Sequence, residues 1–356
     1  MKITFVVPEL NLTGGLRVIS IYADLLSRRG HEVTVVSPNE RAPTLKERIK
    51  SFLNWKGYKF KRGFDQSFFE GANHTVKVIK NAGEVTANDV PDADIIIATF
   101  WITAEWLAKY PESKGKKIYF IQHHEVHEWL PVERVKTTFK LPFKKIVVAQ
   151  WLASTLENEY QQSNVAVVTN AVDHKLFHAP ARQKNMKVTF GLMYSGREYK
   201  GSRIAFNSLN QLKKQYPFIR VVAFGLEAPE KVIGLPESAE YFSQPNQNQI
   251  RDIYSQCDAW LFTSSSEGFG LPILEAMACR TPVIGTCCGA APDLLSSGGG
   301  ILVDIGDHVG LQSAMEEICD MKPKDWSVMS NRAYKEALSH DWGEKAAQFE
   351  QAMLVE

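Results

Sequence analysis

Two glutamates eight positions apart, Glu267 and Glu275, enclose Gly268-Phe269-Gly270-Leu271-Pro272-Ile273-Leu274, and the run continues into Ala276-Met277-Ala278. The apolar segment before them, Ala259-Trp-Leu-Phe262, reads as a buried strand, and Ser264-Ser-Ser266 supplies loop and N-cap chemistry. Pro272 suits a first helical turn, where its missing N–H costs nothing. Gly268 and Gly270 allow the backbone to approach a ligand closely. The expected product is a strand, a loop and a helix N-terminus whose free N–H groups can hold a phosphate. Glu267 then sits on the loop and Glu275 about one turn inside the helix. That chemistry suits a diphosphate ester with hydroxyls at both ends, a phosphate for the amides and a diol for each carboxylate.

Three further clusters follow strand-like runs. Gly14-Gly15-Leu16-Arg17 opens the first helix, where two glycines make an anion-binding turn possible because amides and helix dipole both point outward. This is not the G-x-G-x-x-G spacing of a dinucleotide-binding dehydrogenase. Gly196-Arg197-Glu198-Tyr199-Lys200-Gly201 offers a guanidinium fork and an ammonium point charge, a pair suited to a diphosphate. Gln122-His123-His124-Glu125, with His127 and Glu128, is rich in metal-ligand types. No cysteine or distant partner completes a zinc frame there, so no metal is expected. Asp92-Ala-Asp94 has the D-x-D form that elsewhere holds manganese. It directly precedes the apolar Ile95-Ile-Ile-Ala98, where turn-favouring aspartates have a structural reason to be.

The elements that must position these residues alternate between short apolar runs and helical patterns, the mark of a parallel α/β architecture. Strands are expected at Ile3–Val7, Glu32–Ser37, Ile95–Thr99, Ile118–Gln122 and Lys145–Ala149. A second series follows at Thr189–Met193, Arg220–Phe224, Ala259–Phe262 and Pro282–Gly285. Helical stretches between them include 15–29, 103–109, 202–216, 247–256 and 271–278. The grammar restarts after residues 165–187, so a boundary is expected there. Expected domains are 1–168 and 169–340, with a closing helix in 341–356.

A chain of 356 residues exceeds what one core usually serves, which favours two domains. Its composition (44% apolar, 23% charged) is that of an ordinary globular protein, and a net charge of +1 argues against a globally basic nucleic-acid binder. The N-terminal apolar run is too short for a secretory signal, and no window approaches the ~20 apolar residues of a membrane span. Five cysteines without C-x-x-C spacing read as reduced thiols, so a cytoplasmic protein is expected. Residues 41–62 carry eight basic side chains against one acid, Glu47, with Phe52, Trp55, Tyr58 and Phe60 interleaved. Two readings stay open for this segment. One is a solvated insert. The other is a peripheral contact with the inner face of the membrane, or with an anionic acceptor.

The run Glu267 to Ala278 resembles the E-x7-E motif of retaining GT-B glycosyltransferases of family 4, the group 1 type. Thr281-Pro-Val-Ile284, Gly289-Ala-Ala-Pro-Asp293 and Gly300-Ile-Leu-Val303 continue the resemblance. Asn170-Ala-Val-Asp173 with Phe177 resembles the interdomain N-G-V-D-x-x-x-F segment, Ala171 replacing glycine. Tyr119-Phe-Ile-Gln-His-His-Glu125 is similar to a stretch of rhamnosyltransferase-like members, with His123 in place of their aspartate. The family's G-R-x-x-x-x-K-G pattern has two residues fewer here between Arg197 and Lys200.

The resemblance implies two doubly wound Rossmann-like domains facing a central cleft, the closing helix crossing back to the first. It implies a retaining, metal-independent transfer of a sugar from a nucleotide diphosphate sugar to an acceptor hydroxyl, without a cofactor. The acceptor would be a glycan or a lipid-linked glycan, in cell-surface polysaccharide or glycan synthesis. Glu267 and either His123 or His124 would then act at the transferred sugar. Gly14, Gly15, Arg197, Lys200, Gly268, Phe269, Gly270, Leu271 and Glu275 would bind the donor. A nucleotide-sugar epimerase on the same fold and a non-catalytic partner subunit are the alternatives.

Overall fold

The computed structural model describes residues 1–11, 13–39 and 68–355. Residues 41–62, for which two readings stood open, lie outside the described residues. The chain forms two compact units, Met1–Val168 with Ala346–Glu356, and Thr169–Lys345. Each is a parallel-sheet α/β Rossmann-like domain.

The first unit holds β1 (Lys2–Val6), β2 (Glu32–Ser37), β3 (Thr75–Val78), β4 (Ile95–Ala98), β5 (Lys116–Ile121), β6 (Lys144–Val147) and β7 (Ala166–Val167). Their spatial order is β3-β2-β1-β4-β5-β6-β7, every pair parallel. The central strands are near-continuous apolar runs because helices cover both faces; β4 is buried along its whole length. Helices Gly14–Arg28, Trp101–Ala108, Val132–Phe139 and Gln150–Tyr160 connect them. The last helix, Trp342–Leu354, closes this unit from Ala346 onward: Phe349 stacks on Tyr22 at 4.5 Å, and Glu350 pairs with Arg29 and His31.

The second unit holds β8 (Thr189–Tyr194), β9 (Arg220–Gly225), β10 (Glu240–Ser243), β11 (Ala259–Phe262), β12 (Val283–Thr286) and β13 (Gly300–Val303). The order is β10-β9-β8-β11-β12-β13, again parallel throughout. A core of Phe190, Leu192, Phe206, Leu209, Leu261 and Met315 lies under the helices. The segment around Asn170 is tied to the end of the unit by a bridge from Val172 to Asp341 and by the His340 ring against the Asn170 carbonyl.

In each sheet the strand order reverses at one place: between β1 and β4, and between β8 and β11. Loops leaving the C-terminal ends of strands at such a reversal leave a crevice in which α/β proteins bind ligands. Four strands have no counterpart in the expected set. β3 and β10 are four-residue edge strands with little burial, β7 has two residues, and β13 was visible only as a motif.

Candidate functional site

The second unit's reversal point is where most of the singled-out residues meet. β8 ends in Ser195-Gly196-Arg197 and β11 ends in Thr263 to Glu267. Gly201, at φ +68°, ends the short turn Glu198–Lys200; a Cβ there would lie 2.0 Å from the Thr263 carbonyl oxygen. Only glycine permits that approach. The approach is reinforced by Thr263 Oγ1 donating to Gly201 O at 3.1 Å and Ser265 N–H donating to Tyr199 O at 2.7 Å.

This interlock brings Lys200 to Glu267. The ammonium donates to Glu267 Oε1 at 2.6 Å, and Ser264 Oγ donates to the same oxygen at 2.8 Å. The two side chains are 20% and 15% exposed, so the pair is less screened than a surface ion pair but still meets solvent. Arg197 goes elsewhere: its Nη1 donates to the Tyr199 hydroxyl at 2.8 Å. Lys200 and Arg197 are thus neighbours on one turn with different partners. Gly196 N–H, at the turn's start, donates to Glu227 at 3.1 Å.

The expected serine cap is absent. The helix Leu271–Ala278 has Gly270 as its N-cap, at φ +99°, with no side-chain cap bond, while Ser264 serves Glu267 instead. A Cβ on Gly270 would sit 2.8 Å from the Phe262 ring, so glycine is needed both for the dihedral and for the space. From the other side, Gly289 (φ +60°) packs its turn against the loop, where a Cβ would meet Phe269 O at 2.7 Å. Ala290 N–H donates to that same carbonyl at 2.8 Å. Cys288, next in this turn, has its thiol pushed up to about 12 by burial and by the nearby Glu267 carboxylate.

Glu275 lies deeper than a helix-terminal carboxylate ordinarily would. It is 7% exposed, and its Oε2 accepts from the Tyr254 hydroxyl at 3.0 Å. Tyr254, on the helix Gln247–Ser255, is fully buried between the Trp260, Phe224 and Phe177 rings. Sequence reasoning did not find Tyr254 or Glu227, and it gave Ser264 a capping role where the structure has it bonded to Glu267. Tyr254 and Glu227 have no spacing tie to the glutamates and arrive from other elements, whereas Ser264 lies three positions before Glu267 on the same loop.

In the first unit, Gly14 and Gly15 open the helix Gly14–Arg28, whose N-cap Thr13 makes no side-chain cap bond. Gln122, just past β5, donates through Nε2 to Gly15 O at 3.2 Å, which ties the β5 end to the first helix. The two histidines separate. His124 bonds the Tyr160 hydroxyl at 2.8 Å and stacks on Phe139, and burial lowers its pKa. His123 lies beside His127 at 5.0 Å, and His127 stacks on Trp129 at 4.4 Å. Glu125 accepts from Trp101 N–H at 3.1 Å, capping that helix, while burial drives its carboxyl well above the usual range.

Asp94 accepts from Lys2 N–H at 2.7 Å and Asp92 pairs with Lys114, so both hold local structure. Among the described residues no group of three or more His, Cys, Asp or Glu side chains could hold a metal ion. Also among them, no helix is long and apolar enough to cross a membrane.

Residues 176–336, which include all these second-unit groups, match the family model described as glycosyl transferases group 1. The chain is 28% identical over 232 residues to D-inositol 3-phosphate glycosyltransferase of Mycolicibacterium smegmatis, covering 59% of this chain and 49% of that one. It therefore spans about half the length of that relative. It is 23% identical over 314 residues to the O-antigen chain mannosyltransferase RfbU of Salmonella typhimurium, covering 84% and 79%. The crystal structure of Anabaena HepE in complex with UDP-glucose has a TM-score of 0.73 at 16% identity, covering 99% of both chains. That likeness establishes the fold as GT-B.

Proposed function

We propose that this chain is a retaining glycosyltransferase of the family 4 type, moving a sugar from a nucleotide diphosphate sugar to an acceptor hydroxyl. The observation that carries the reading is the Lys200–Glu267 pair at the reversal point of the second sheet, Glu267 lying on the loop that leads into the Leu271–Ala278 helix. A cation near a helix N-terminus suits a diphosphate, and a carboxylate beside it suits sugar hydroxyls. The group 1 family match over the same residues and the mannosyl- and glycosyltransferase relatives support it, as does a structural neighbour that binds UDP-glucose.

The second unit takes the donor. Glu275 accepts from the ribose hydroxyls, and Glu267 orients the transferred sugar. The backbone of Gly268, Phe269, Gly270 and Leu271 donates to sugar and phosphate. Lys200 and Arg197 stabilise the departing diphosphate, electrostatic help of the kind worth several kcal/mol of barrier. Chemically, the acceptor oxygen forms a bond to the anomeric carbon as the bond from that carbon to the phosphate oxygen breaks. The leaving phosphate takes the acceptor's proton on the same face, which retains configuration without a protein base. No metal is assigned a role, and a chelator is expected to leave the rate unchanged.

The first unit takes the acceptor, a glycan or lipid-linked glycan in polysaccharide or glycan synthesis. Gly14 and Gly15 serve the donor phosphates. Either His123 or His124 acts at the transferred sugar, His124 beside Tyr160 and Phe139 and His123 beside His127. Reduced thiols and a nucleotide-sugar substrate fit the cytoplasm, with peripheral membrane contact a role for residues 41–62.

The test is a thermal-shift panel of UDP, dTDP, GDP and ADP with their sugar conjugates, run on wild type and Glu275→Ala. A ligand at a hundred times its Kd stabilises the native state by about 2.7 kcal/mol. One nucleotide shifting wild type but not the variant is the expected result. No shift with any of them rejects the donor site, and release of free nucleotide without an acceptor would indicate an epimerase.

A further inference from the structure

The second unit carries a cleft of about 250 Å³ that the reaction just described does not use. It is lined by Ser327, Ser330 and Asn331 from the helix Pro323–Leu338, by Arg182 and Gln183 ahead of β8, and by Arg280 after the helix Leu271–Ala278. Arg182 and Arg280 both lie shortly before strands, β8 and β12, whereas Lys200 and Glu267 follow strand ends. The cleft therefore sits at the opposite edge of the sheet. We infer that it is a second, anion-binding site, which takes a small phosphate monoester through Arg280. The inference does not depend on which ligand the β11 end receives.

Arg182 forms a fixed wall. Its Nε donates to Ser255 O at 3.0 Å, and its Nη1 donates to Gln183 O at 2.9 Å and to Asp258 Oδ1 at 3.0 Å. Its Nη2 donates to Cys257 O, and the guanidinium lies 4.5 Å over the Trp326 ring. The buried Asp258 carboxylate balances its charge.

Arg280 is held differently. Its Nε donates to Ala179 O at 3.1 Å and its Nη1 to Asn331 Oδ1 at 2.7 Å, over the Tyr334 ring at 3.9 Å. Two N–H donors are thus taken of the five that a guanidinium carries. Among the described residues no carboxylate pairs with it, and no lining residue of the cleft is acidic. Its backbone is left-handed, φ +59°, at the position after a helix end where glycine sits without strain. The buried Ser330 hydroxyl holds that turn by donating to Arg280 O at 2.7 Å.

The neutral groups point the same way. Asn331 gives its amide oxygen to Arg280, and Gln183 Oε1 accepts from Ser327 Oγ at 3.3 Å, so each amide keeps its N–H donors for the cleft. A guanidinium fork and two amides suit an acceptor-only ligand with several oxygens, as a phosphate is. A water needs only ~10–15 Å³ of such space, so an organic tail fits beside the phosphate.

The experiment is isothermal titration of the full chain with inorganic phosphate and with glycerol 3-phosphate, at constant ionic strength. Both are expected to bind wild type, the ester at least as tightly. Arg280→Gly and Asn331→Asp should each weaken both ligands roughly tenfold or more, the loss of a charged hydrogen bond or its capture by a new acid. Arg280→Gly relieves the left-handed strain and Asn331 is exposed, so a folding failure in one variant leaves the other to decide. Lys200→Ala should change either Kd by less than about twofold, as for an independent site. Unchanged binding in the folded variants overturns the inference, and so does a loss confined to Lys200→Ala, which moves the phosphate to the β11 end. Exclusion of the ester while inorganic phosphate binds overturns the ligand class. Absence of millimolar binding to wild type by either probe overturns the site itself.

Discussion

The end of β11 in the second unit and the end of β5 in the first are both strand termini crowded with titratable side chains, but they are built on opposite principles. After β11, opposite charges touch: Lys200 and Glu267 lie 2.6 Å apart, and three turns interlock through Gly201, Gly270 and Gly289, each at positive φ. After β5, rings pack on rings and burial favours neutral forms. His124 and His127 both have lowered pKa values, and Glu125 has a raised one. Trp129, 66% exposed, stacks on His127. One strand end holds a compact ion pair, the other a cluster of rings whose titratable neighbours burial keeps neutral. The same parallel-sheet architecture thus acquires different chemistry from what its loops carry.

The sharpest way to break this contrast is to remove the charges. Lys200→Ala is expected to lower kcat about a hundredfold or more, as loss of one preorganised electrostatic donor does elsewhere. Glu267→Gln should act in the same direction. Steady-state kinetics on the two variants and the double variant checks this. If the pair works as a unit, the double variant will lose much less than the product of the single losses. His127→Ala, at the other strand end, should raise the acceptor KM and leave the nucleotide-dependent thermal shift unchanged. Comparable loss of nucleotide binding from both ends would erase the distinction.

What was legible beforehand divides along the same line. Strands whose residues are buried on both faces, such as Ala259–Phe262 and Glu32–Ser37, were expected with the observed bounds, because an apolar run of that length has few other uses. Edge strands such as β3 (Thr-Val-Lys-Val) and β10 (Glu-Tyr-Phe-Ser) are four residues long with no buried position, too short and too exposed to stand out from a loop; pairing with a neighbour makes them strands. In the second unit, Glu267, Gly268, Gly270 and Glu275 could be read because they are local in sequence. Their pairings could not, although Lys200 itself was singled out. Lys200 meets Glu267 across 67 positions and Tyr254 meets Glu275 across 21, distances set by the strand order rather than by any spacing. The serine cap was misread for the same reason: Ser264 is near the helix in sequence, but Gly270's dihedral places the helix start beyond its reach.

A second break concerns glycine. Gly201→Ala is expected to destabilise the protein by about 2–3 kcal/mol, from left-handed strain and the approach to the Thr263 carbonyl together. Gly15→Ala, in the first unit, brings a methyl no closer than 3.5 Å to the Gln122 amide, an ordinary contact, and lies inside a helix. It should change stability by less than ~0.5 kcal/mol, or raise it. Chemical denaturation of both variants measures the difference. Equal costs would mean that the second unit's loops are no more constrained than the first's.

Tyr254→Phe comes next in size. It removes one buried hydrogen bond to a carboxylate, worth about 1.5–3 kcal/mol when the donor is lost and the acceptor stays. The loss is expected near the lower figure, because water drawn by the Glu275 carboxylate offsets part of it. Denaturation curves for Tyr254→Phe and Glu275→Gln would read this directly, and a cost near zero would show that the bond contributes nothing to the folded state.

The smallest expected effect is a pH dependence seated at the β5 end. Burial lowers the His124 pKa below its ordinary 6.5, with Glu159 opposing the shift and His127 and Lys136 adding to it. The native state therefore binds fewer protons than the unfolded chain in the window between the lowered value and 6.5. By linkage, the stability His124 contributes is fully present above about pH 6.5 and is lost as pH falls through the lowered value. His74, His127 and His340 are lowered in the same direction, so acid destabilisation is shared among them. His124→Phe keeps the ring contact with Phe139 but removes the titrating group. It should flatten the slope of stability against pH below 6.5, by at most about 1.4 kcal/mol per pH unit for one proton. An unchanged slope would mean that His124 titrates alike in both states, and the neutral character assigned to the β5 end would then rest on Glu125 and His127.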